Sequence, residues 1–164
     1  MKKQRALLII KPDGVRRGLC GTVLKRFERV GLTIVGFKFI TADLALIKTL
    51  YPATGIGAEK DEQKLIGYFQ ESPVFVVAVE GYEAIKIVNK LAGDTIPALA
   101  APGTVRGDFS HDSASLADSE NRPVRDIVHT SETVEDGEKE VALWFRNDEL
   151  FSYKRADEDI MFPS

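Results

Sequence analysis

The chain has 164 residues, of which 44% are hydrophobic, a length and composition typical of one domain with a single hydrophobic core. Its formal net charge is −3 and no long basic block stands alone, which argues against a surface for duplex nucleic acid or an anionic membrane. Cys20 is the only cysteine, so intrachain disulfides and paired-cysteine zinc sites are excluded, and a reducing cytoplasm is the expected location.

The N-terminal stretch predicts a strand, a turn and a helix. RALLIIK is rich in aliphatic and β-branched residues and predicts a buried strand that ends at Lys11, next to the turn residues PDG. Its apolar part is too short for the core of a signal peptide. From residue 19 to residue 30 the apolar residues recur at helical spacing, and Gly31 is suited to end that helix.

The middle of the chain predicts two more strands and their helices. LTIVGFKFI predicts the second strand, after which Asp43 can cap a short helix that ends near Tyr51, most simply an aromatic anchor. ATGIGAEKD is loop-like and EQKLIGYFQ has one apolar helical face, so a helical hairpin is expected before the third strand, SPVFVVAVEG. YEAIKIVNKLAG returns to helical spacing and ends at Gly93.

The C-terminal part has weaker patterns. Residues 94–132 show no sustained period, and the small, polar and acidic insertion at residues 110–125 predicts a mobile surface loop. Thr133 and Asp136 resemble a capping box that opens a helix through about Glu140, and the following VALWF predicts a fourth strand with Trp144 and Phe145 in its core. This order indicates an α+β fold in one domain over residues 1–164: a ferredoxin-like βαββαβ sandwich whose four-stranded antiparallel sheet is covered by helices.

Residues 126–136 read DIVHTSETVED and place His129 between an apolar pair and a run of hydroxyls and carboxylates. A neutral imidazole is a nucleophile near pH 7 and can form a phosphoramidate, provided that one ring nitrogen is fixed and the other is free. Ser131, close by in sequence, and Glu140, on the predicted helix, are candidates to orient the ring. A lone loop histidine is more often not catalytic, and this applies even more to His111 in the insertion.

Phosphate binding, if present, must rely on side chains. The sequence has no P-loop motif of the form GxxxxGKS/T, and the GIG of residues 55–57 lacks the third glycine of a dinucleotide-binding loop. Lys11, Thr95 and Arg106 are donors at element ends or in loops, positions from which separate groups can converge on one anion. The alternatives are a Lys11 that only ends a strand in water and an Arg106 that only pairs with Asp108 at the surface. The acidic residues of the segment 132–140 are expected to form a solvated helix face, and no metal ligands are predicted.

Several motifs in a fixed order carry more information than any single residue: KPDGVRRGL, RFERVGL, APGTVRGDF, and IVHTSETVEDGEKE before a final WF. Together they resemble nucleoside diphosphate kinase, from about Arg5 to Leu150. The resemblance implies a ping-pong transfer of the γ-phosphoryl group from a nucleoside triphosphate to a nucleoside diphosphate, through a phosphohistidine. It also implies a homo-oligomer, a tetramer or hexamer built from dimers. Specific nucleic acid and a membrane are not expected as partners, because the chain has a net negative charge.

The same resemblance implies roles for individual residues. His129 matches the phosphorylated nucleophile, and Ser131 and Glu140 match the groups that surround the imidazole. Mg²⁺ is expected to bridge the nucleotide phosphates with little direct help from protein ligands. Leu65 is the expected apolar contact to the base. Such a site holds the base loosely, because recognition of the base by hydrogen bonds would reject other bases. The positions that match phosphate or ribose contacts are Lys11, Tyr51, Thr95, Arg106 and Asp126.

Some positions depart from the family pattern. Asn89 stands where the family usually has an arginine, which removes a phosphate clamp contributing about 1.5–3 kcal/mol if fully engaged. Asp126 replaces an asparagine that contacts the ribose 3′-hydroxyl, and it adds negative charge near the phosphates, so weaker nucleotide affinity is expected without loss of the fold. Ile96 also replaces an asparagine. The aromatic residue that usually stacks on the base is absent between Tyr51 and Leu65, and the long segment 109–129 could cover the pocket or alter how subunits meet.

Two other functions are compatible with the sequence. The same fold could act as a catalytically weakened, nucleotide-binding regulatory module, or His129 could serve as the general base on a water molecule in a hydrolase. The products separate these functions: label that moves to a diphosphate marks the kinase, release of inorganic phosphate marks the hydrolase, and binding alone marks the module.

Overall fold

The computed structural model describes residues 1–52 and 58–163, which form four strands separated by one or more helices. Two short 3-10 turns, Pro97–Leu99 and Asn147–Glu149, lie among them. In chain order the elements are β1 (Gln4–Ile10), α1 (Pro12–Arg16), α2 (Cys20–Arg29), β2 (Thr33–Ile40), α3 (Leu44–Leu50), α4 (Ala58–Gln70), β3 (Val74–Gly81), α5 (Ala84–Ala92), α6 (Val105–Phe109), α7 (Ala114–Ser119), β4 (Val128–Thr130), α8 (Val134–Trp144) and α9 (Glu158–Met161).

The sheet has the strand order β2-β3-β1-β4, and each neighbouring pair is antiparallel. In the register of β1, Leu8 lies opposite Val77 and Thr130, and Ile9 lies opposite Val76 and His129. α2 follows β1 and α5 follows β3, so the chain reads βαββαβ once the α3–α4 hairpin is set aside. The predicted ferredoxin-like arrangement with a four-stranded antiparallel sheet is confirmed.

Both faces of the sheet are buried. Ala6, Leu8 and Ile10 of β1 pack in one cluster with residues of α2 and α5, while Leu7 and Ile9 pack in a second cluster with residues of α3, α4 and α8. Successive side chains of a strand point to opposite faces, so a strand that is covered on both sides must be apolar at every position. The uninterrupted stretch ALLII therefore follows from the position of β1 inside the sheet.

The C-terminal part differs from the sequence prediction. VALWF is not a strand, because α8 runs to the end of this stretch, and the fourth strand is the three-residue β4, which contains His129. The capping box predicted at Thr133 and Asp136 is present and begins α8. Trp144 and Phe145 are buried as expected, but at the end of a helix. β4 was missed because its hydrogen bonds go to β1, which is distant in sequence, and three residues carry no recognisable period.

Gly137 brings α8 close to β1. A Cβ at this position would clash with the backbone oxygen of Arg5 and stand 2.9 Å from the Cδ1 of Ile85. The helix therefore lies closer to the strand than any residue with a side chain would permit. Glu140 lies about one turn further along α8, and from there its carboxylate reaches His129 on β4.

Other boundaries also differ from the expectations. The turn after Lys11 is the short helix α1, and the insertion at residues 110–125 contains the helix α7 instead of a loop throughout. α4 begins at Ala58, earlier than predicted, and residues 53–57 of the predicted loop, with their GIG sequence, lie outside the described residues. Within the described ranges, no helix combines the length and the apolar composition needed to cross a bilayer.

A buried carboxylate anchors the insertion. Asp112 accepts two hydrogen bonds from the Arg122 guanidinium, at 2.5 and 3.0 Å, and one from the backbone N–H of Arg125, at 2.7 Å. The hydrogen bonds from Arg122 are the main reason that the pKa of Asp112 lies below its ordinary value. The Arg125 side chain also pairs with Glu71, just after α4, at 2.8 Å. Asp112 thereby holds the two ends of the insertion together, and Arg125 fixes its C-terminal end to the end of α4.

Candidate active site

A cleft of about 440 Å³ lies where β1 ends and β4 begins. Because the two strands are antiparallel, the end of β1 and the start of β4 share one edge of the sheet, and Lys11 and Asp126 meet there. Residues of α5, α6 and α8 contribute the other walls. The predicted site residues that line this cleft are Lys11, Tyr51, Thr95, Arg106, Asp126, His129 and Glu140.

Lys11, Asp126 and Arg106 form a buried charge cluster. Lys11 Nζ lies 2.6 Å from Asp126 Oδ1, and an Arg106 Nη lies 3.2 Å from Oδ2 of the same carboxylate. Lys11 is 8% exposed, Asp126 4% and Arg106 6%, a setting in which an unpaired charge is costly. Burial, the largest single influence, lowers the pKa of Lys11, but the negative charge of Asp126, its hydrogen bond to Lys11 and a contribution from Tyr51 together raise that pKa above its ordinary value. Lys11 is thus a fixed cation, and the alternative of a strand end in water is wrong.

Arg106 is held chiefly by backbone oxygens. Its guanidinium donates to the carbonyls of Gly93 at 2.7 Å, Val128 at 2.7 Å and Asp126 at 3.3 Å. These bonds join α6 to the end of α5 and to the segment that leads into β4. The alternative of a surface ion pair between Arg106 and Asp108 is wrong, because Asp108 pairs with an arginine of α2.

The backbone turns sharply at Ile127, just before β4. This residue has a φ of 70°, and the Val128 N–H donates to the Asp126 carbonyl at 2.8 Å, the hydrogen bond of a γ-turn. Such a backbone costs about 1–3 kcal/mol for a residue other than glycine. The buried Ile127 side chain and a 2.7 Å hydrogen bond from the Lys11 N–H to the Ile127 carbonyl hold it. The turn places Asp126 beside the cations, immediately before the strand that carries His129.

His129 is held through one ring nitrogen. Nε2 lies 3.1 Å from Glu140 Oε2, and the Ser131 hydroxyl donates to the same oxygen at 2.6 Å. Ser131 Oγ in turn accepts a hydrogen bond from the Leu7 N–H at 2.9 Å. A carboxylate only accepts, so the neutral imidazole donates from Nε2 and carries its lone pair on Nδ1. Within the described part of the chain Nδ1 has no hydrogen-bond partner, which is the state that a nitrogen nucleophile needs.

Tyr51 and Thr95 border the cleft in different ways. The Tyr51 ring centroid lies 5.4 Å from that of His129, with the rings nearly perpendicular, and 5.5 Å from Lys11 Nζ. Burial raises the pKa of Tyr51 to about 12, so its hydroxyl stays protonated at neutral pH. Thr95 lies in the loop after α5 and is exposed, a position from which its hydroxyl can contact a ligand at the mouth of the cleft.

Leu65 lies in a second cleft. This cleft also has a volume of about 440 Å³, and it is formed by α4 on one side and the insertion on the other. Tyr51 borders both clefts, so they are adjacent. The wall beside Leu65 is chemically mixed, with Asp61, Glu62 and Lys64 next to it. The predicted base contact and the predicted phosphate contacts therefore occupy neighbouring cavities that meet at one aromatic side chain.

The structure adds residues that sequence reasoning did not place in the cleft. Asp94, Glu132 and Asp136 line it with carboxylates. Asn89, which the resemblance had already marked as the position of a missing phosphate clamp, lies on the wall of the cleft with its carboxamide bonded to the end of β4. Its spacing of four residues from Ile85 places both residues on the same side of α5. Among the described residues, no group of three potential metal ligands is close enough to hold an ion.

The chain is similar over most of its length to one family of proteins. The family model for nucleoside diphosphate kinase matches residues 4–150. A nucleoside diphosphate kinase from Borreliella burgdorferi is 44% identical over 161 residues, which cover 96% of this chain and 96% of that protein. This chain belongs to the nucleoside diphosphate kinase family.

Further members of the nucleoside diphosphate kinase family show the same similarity. The protein from Pyrococcus abyssi is 42% identical over 161 residues, 96% of this chain and 93% of its own length. A solved transition-state mimic of the kinase from Borrelia burgdorferi, with bound vanadate and ADP, has a TM-score of 0.90 and 43% identity, and the match covers 96% of both chains. The family resemblance, the α+β fold and the enzyme class inferred from the sequence are confirmed.

Proposed function

We propose that this nucleoside diphosphate kinase transfers the γ-phosphoryl group of a nucleoside triphosphate to a nucleoside diphosphate through a phosphohistidine at His129. The observation that carries the proposal is the geometry of the ring, with Nε2 bound to Glu140 and Nδ1 without a partner among the described residues. Lys11 and Arg106 line the same cleft. A neutral imidazole beside two fixed cations is suited to attack on a phosphorus atom that carries negative oxygens.

The transfer consists of two half-reactions at one nitrogen. First, Nδ1 of His129 attacks the γ-phosphorus, an N–P bond forms, and the P–O bond to the β-phosphate breaks, so the diphosphate leaves with the bonding electrons. The ring becomes cationic, and Glu140 stabilises it by accepting the hydrogen bond from Nε2. A terminal phosphate oxygen of a second diphosphate then attacks the same phosphorus, and the ring is released as neutral imidazole. Positioning and charge stabilisation supply most of the catalysis in reactions of this type.

The balance of charge in the cleft supports Mg²⁺ as a companion of the nucleotide. Two cations, Lys11 and Arg106, share the cleft with five carboxylates. A polyphosphate without a counterion would be repelled by these carboxylates. Mg²⁺ binds phosphate oxygens and keeps several waters, so it would enter with the nucleotide and lower the charge of the phosphates.

The adjacent cleft is the proposed site of the base. A nucleotide whose phosphates lie beside His129 can pass Tyr51 and extend its base toward Leu65, because Tyr51 borders both cavities. An apolar contact distinguishes bases weakly, whereas oriented hydrogen bonds reject analogues strongly. A base held mainly by Leu65 would therefore allow several nucleotides to serve as donor and acceptor.

A homo-oligomer built from dimers, a tetramer or a hexamer, is also proposed. β2 is an edge strand, and its Phe37 and Phe39 are 66% and 58% exposed. Phe37 borders an apolar groove of about 720 Å³ together with Phe75 and Tyr153. Exposed apolar patches and edge strands commonly mark interfaces, and a second copy can cover the same patch in a two-fold contact. Sedimentation of the chain should give an oligomer that Phe37→Glu makes smaller, and a monomeric unsubstituted chain would contradict the proposal.

The location and the domain organisation complete the proposed function. A cytoplasmic enzyme is supported by the single cysteine, Cys20, which requires no oxidising compartment. One domain over residues 1–164 is supported by the two core clusters, which lie on opposite faces of the same sheet.

The test is transfer of label from a γ-labelled nucleoside triphosphate in the presence of Mg²⁺. The protein should carry an acid-labile phosphate on His129, and the label should move to any added nucleoside diphosphate. His129→Ala should abolish both steps, while His111→Ala, which changes the only other histidine, should behave as the unsubstituted chain. Full transfer by His129→Ala would refute the assignment of the nucleophile.

A regulatory module is the second candidate function, and one observation favours it. The single carboxylate of Asp126 offsets part of the charge of Lys11 and Arg106, so part of the positive charge for phosphates is engaged within the protein. A chain that binds nucleotide with Mg²⁺ but labels His129 only slowly would match this module. Release of inorganic phosphate without an acceptor would instead indicate hydrolysis, with His129 as a general base.

A further inference from the structure

Asn89 projects from α5 onto the segment that carries His129. Its Nδ2 donates to the carbonyls of Ile85 at 2.9 Å and Ser131 at 2.8 Å, and its Oδ1 accepts from the Thr130 hydroxyl at 2.8 Å. Carbonyl oxygens only accept, so these partners fix the orientation of the carboxamide. One short side chain therefore joins a turn of α5 to both residues that follow His129.

β4 is restrained at its start by the Arg106 guanidinium, which donates to the Val128 carbonyl, but its end has few other restraints. The strand has three residues, lies at the edge of the sheet and pairs with β1 alone. Beyond it, the Ser131 N–H donates to the Leu7 carbonyl at 3.2 Å, and Ser131 Oγ accepts from the Leu7 N–H at 2.9 Å. Segments with few backbone hydrogen bonds open at low free-energy cost unless side chains restrain them. The hydrogen bonds of Asn89 supply such a restraint from the helix side.

The restraint reaches the His129 ring by two routes. Thr130 directly follows His129, so fixing its hydroxyl also limits the backbone of the strand end. Ser131 donates to Glu140 Oε2 at 2.6 Å, and this oxygen is the one that binds His129 Nε2. A shift of Ser131 would therefore move the carboxylate and the ring together. A misplacement of about 1 Å in a reacting group can cost about 100-fold in rate.

We infer that Asn89 is a positioning residue for phosphoryl transfer, which keeps His129 and Glu140 aligned at a position where the family usually has an arginine. This inference rests on the proposed phosphohistidine function. In this chain the side chain at position 89 aligns the nucleophile, whereas an arginine would bind the negatively charged phosphates. Loss of the Asn89 hydrogen bonds lowers the rate of the chemical step and leaves nucleotide affinity nearly unchanged, the reverse of the pattern for a phosphate clamp.

The test is single-turnover phosphorylation of the full chain by γ-labelled ATP with Mg²⁺, measured by rapid quench over a range of ATP concentrations. The maximal rate reports the alignment of His129, and the half-saturating concentration reports nucleotide affinity. Asn89→Leu keeps the volume and removes the three hydrogen bonds of the carboxamide. We expect a maximal rate about 10-fold to 100-fold lower, with the half-saturating concentration within about 2-fold. Lys90→Ala, at the exposed neighbouring position on α5, is the matched control and should leave both values unchanged.

A second variant tests the same contact from the strand side. Thr130→Val removes the hydroxyl that donates to Asn89 and leaves the shape of the residue nearly the same. It should lower the same maximal rate by a smaller factor. Relative to the unsubstituted chain, the double variant should be slowed by less than the product of the two separate factors, because both changes remove one shared interaction. Melting temperatures of all variants separate a loss of folded protein from a loss of rate.

Each outcome decides the inference. Unchanged maximal rates in both Asn89→Leu and Thr130→Val would overturn it. A loss confined to the half-saturating concentration would also overturn it and would indicate a direct phosphate contact. If Asn89→Leu does not fold, Thr130→Val decides alone. An unsubstituted chain that takes up no label on His129 would overturn the proposed function as well, whereas normal labelling together with unaffected variants overturns this inference only.

Discussion

The phosphate end and the base end of the proposed nucleotide site are built from different kinds of structure. At the phosphate end, Lys11, Arg106 and Asp126 are buried and bind one another and backbone carbonyls. At the base end, Leu65 is half-buried on a helix beside the exposed Asp61, and the facing wall is the insertion. Groups next to strand ends are fixed by the sheet, whereas groups on helix surfaces and in insertions are less constrained.

This difference matches what the proposed reaction asks of each end. Transfer of a phosphoryl group needs fixed cations and an aligned nucleophile, because the stabilisation of charge depends on groups that do not have to reorganise. Use of several bases needs the opposite, a contact with few oriented donors and acceptors. The molecule thus combines a preorganised end, where the phosphorus reacts, with a permissive end, where the base would lie.

The largest effect is expected at the phosphate end, from Arg106→Leu. The change removes a donor from the carbonyls of Gly93, Val128 and Asp126 and from one side of the Asp126 carboxylate. Removing one partner of a buried ion pair costs about 3–5 kcal/mol, so the free energy of unfolding in urea should fall by about that amount. Arg106→Lys keeps the charge but cannot reach several carbonyls at once, and it should lose less. Unchanged stability of Arg106→Leu would break the contrast between the two ends.

The insertion forms one wall of the base end, and its contribution to folding stability should depend on Asp112. Asp112→Asn weakens the hydrogen bonds from Arg122, and hydrogen bonds to charged groups contribute about 1.5–3 kcal/mol each. The pKa of Asp112 lies below its ordinary value of 3.8, so folding favours the ionised form. Its contribution is therefore complete above the ordinary pKa and is lost as the pH falls through the lower pKa of the folded state.

Urea unfolding as a function of pH tests this prediction. The stability difference between the unsubstituted chain and Asp112→Asn should be large near neutral pH and shrink below about pH 4. Asp118→Asn, at an exposed position of the same insertion, is the control and should match the unsubstituted chain at every pH. A difference that does not change with pH would show that the Asp112 carboxylate does not anchor the insertion through its charge.

Asp126→Asn is expected to strengthen nucleotide binding, an effect smaller than the losses of stability described above. The change removes the carboxylate that pairs with Lys11 and Arg106, so both cations become more available to phosphates. Calorimetric titration with a non-transferable triphosphate analogue and Mg²⁺ should show binding about 10-fold tighter, or about 1.4 kcal/mol. Asp94→Asn, in the same cleft but without contact to either cation, should change affinity less. Equal effects of the two variants would mean that the buried charge cluster does not govern phosphate binding.

The smallest effect is expected at the base end, from Leu65→Ala. Loss of part of one apolar contact should raise the KM for each triphosphate by about 2-fold to 5-fold, with similar factors for purines and pyrimidines. Steady-state kinetics with four nucleotides measures this directly. An effect confined to one base would show that the second cleft reads the base, which is the opposite of the permissive end described above.

Some features of the site could be predicted from the sequence, and others could not. Lys11 could be placed because a buried strand and its turn are local patterns, and His129 because its surroundings and the order of the motifs are distinctive. The pairing of Lys11 with Asp126 spans 115 positions, and no local pattern encodes it. The sequence indicated that Asp126 matches a ribose contact and adds negative charge near the phosphates. The structure shows that this charge is already balanced by two buried cations.

The sequence by itself determined the strands β1, β2 and β3 and the longer helices, because apolar periodicity and capping residues act over a few positions. Only the tertiary structure decided that residues 128–130 form the fourth strand and that VALWF ends a helix. The same holds for Asn89, whose contacts lie across the gap between α5 and β4. A three-residue edge strand and a single polar side chain gain order only from distant partners, since their conformational entropy is offset only once the sheet has assembled.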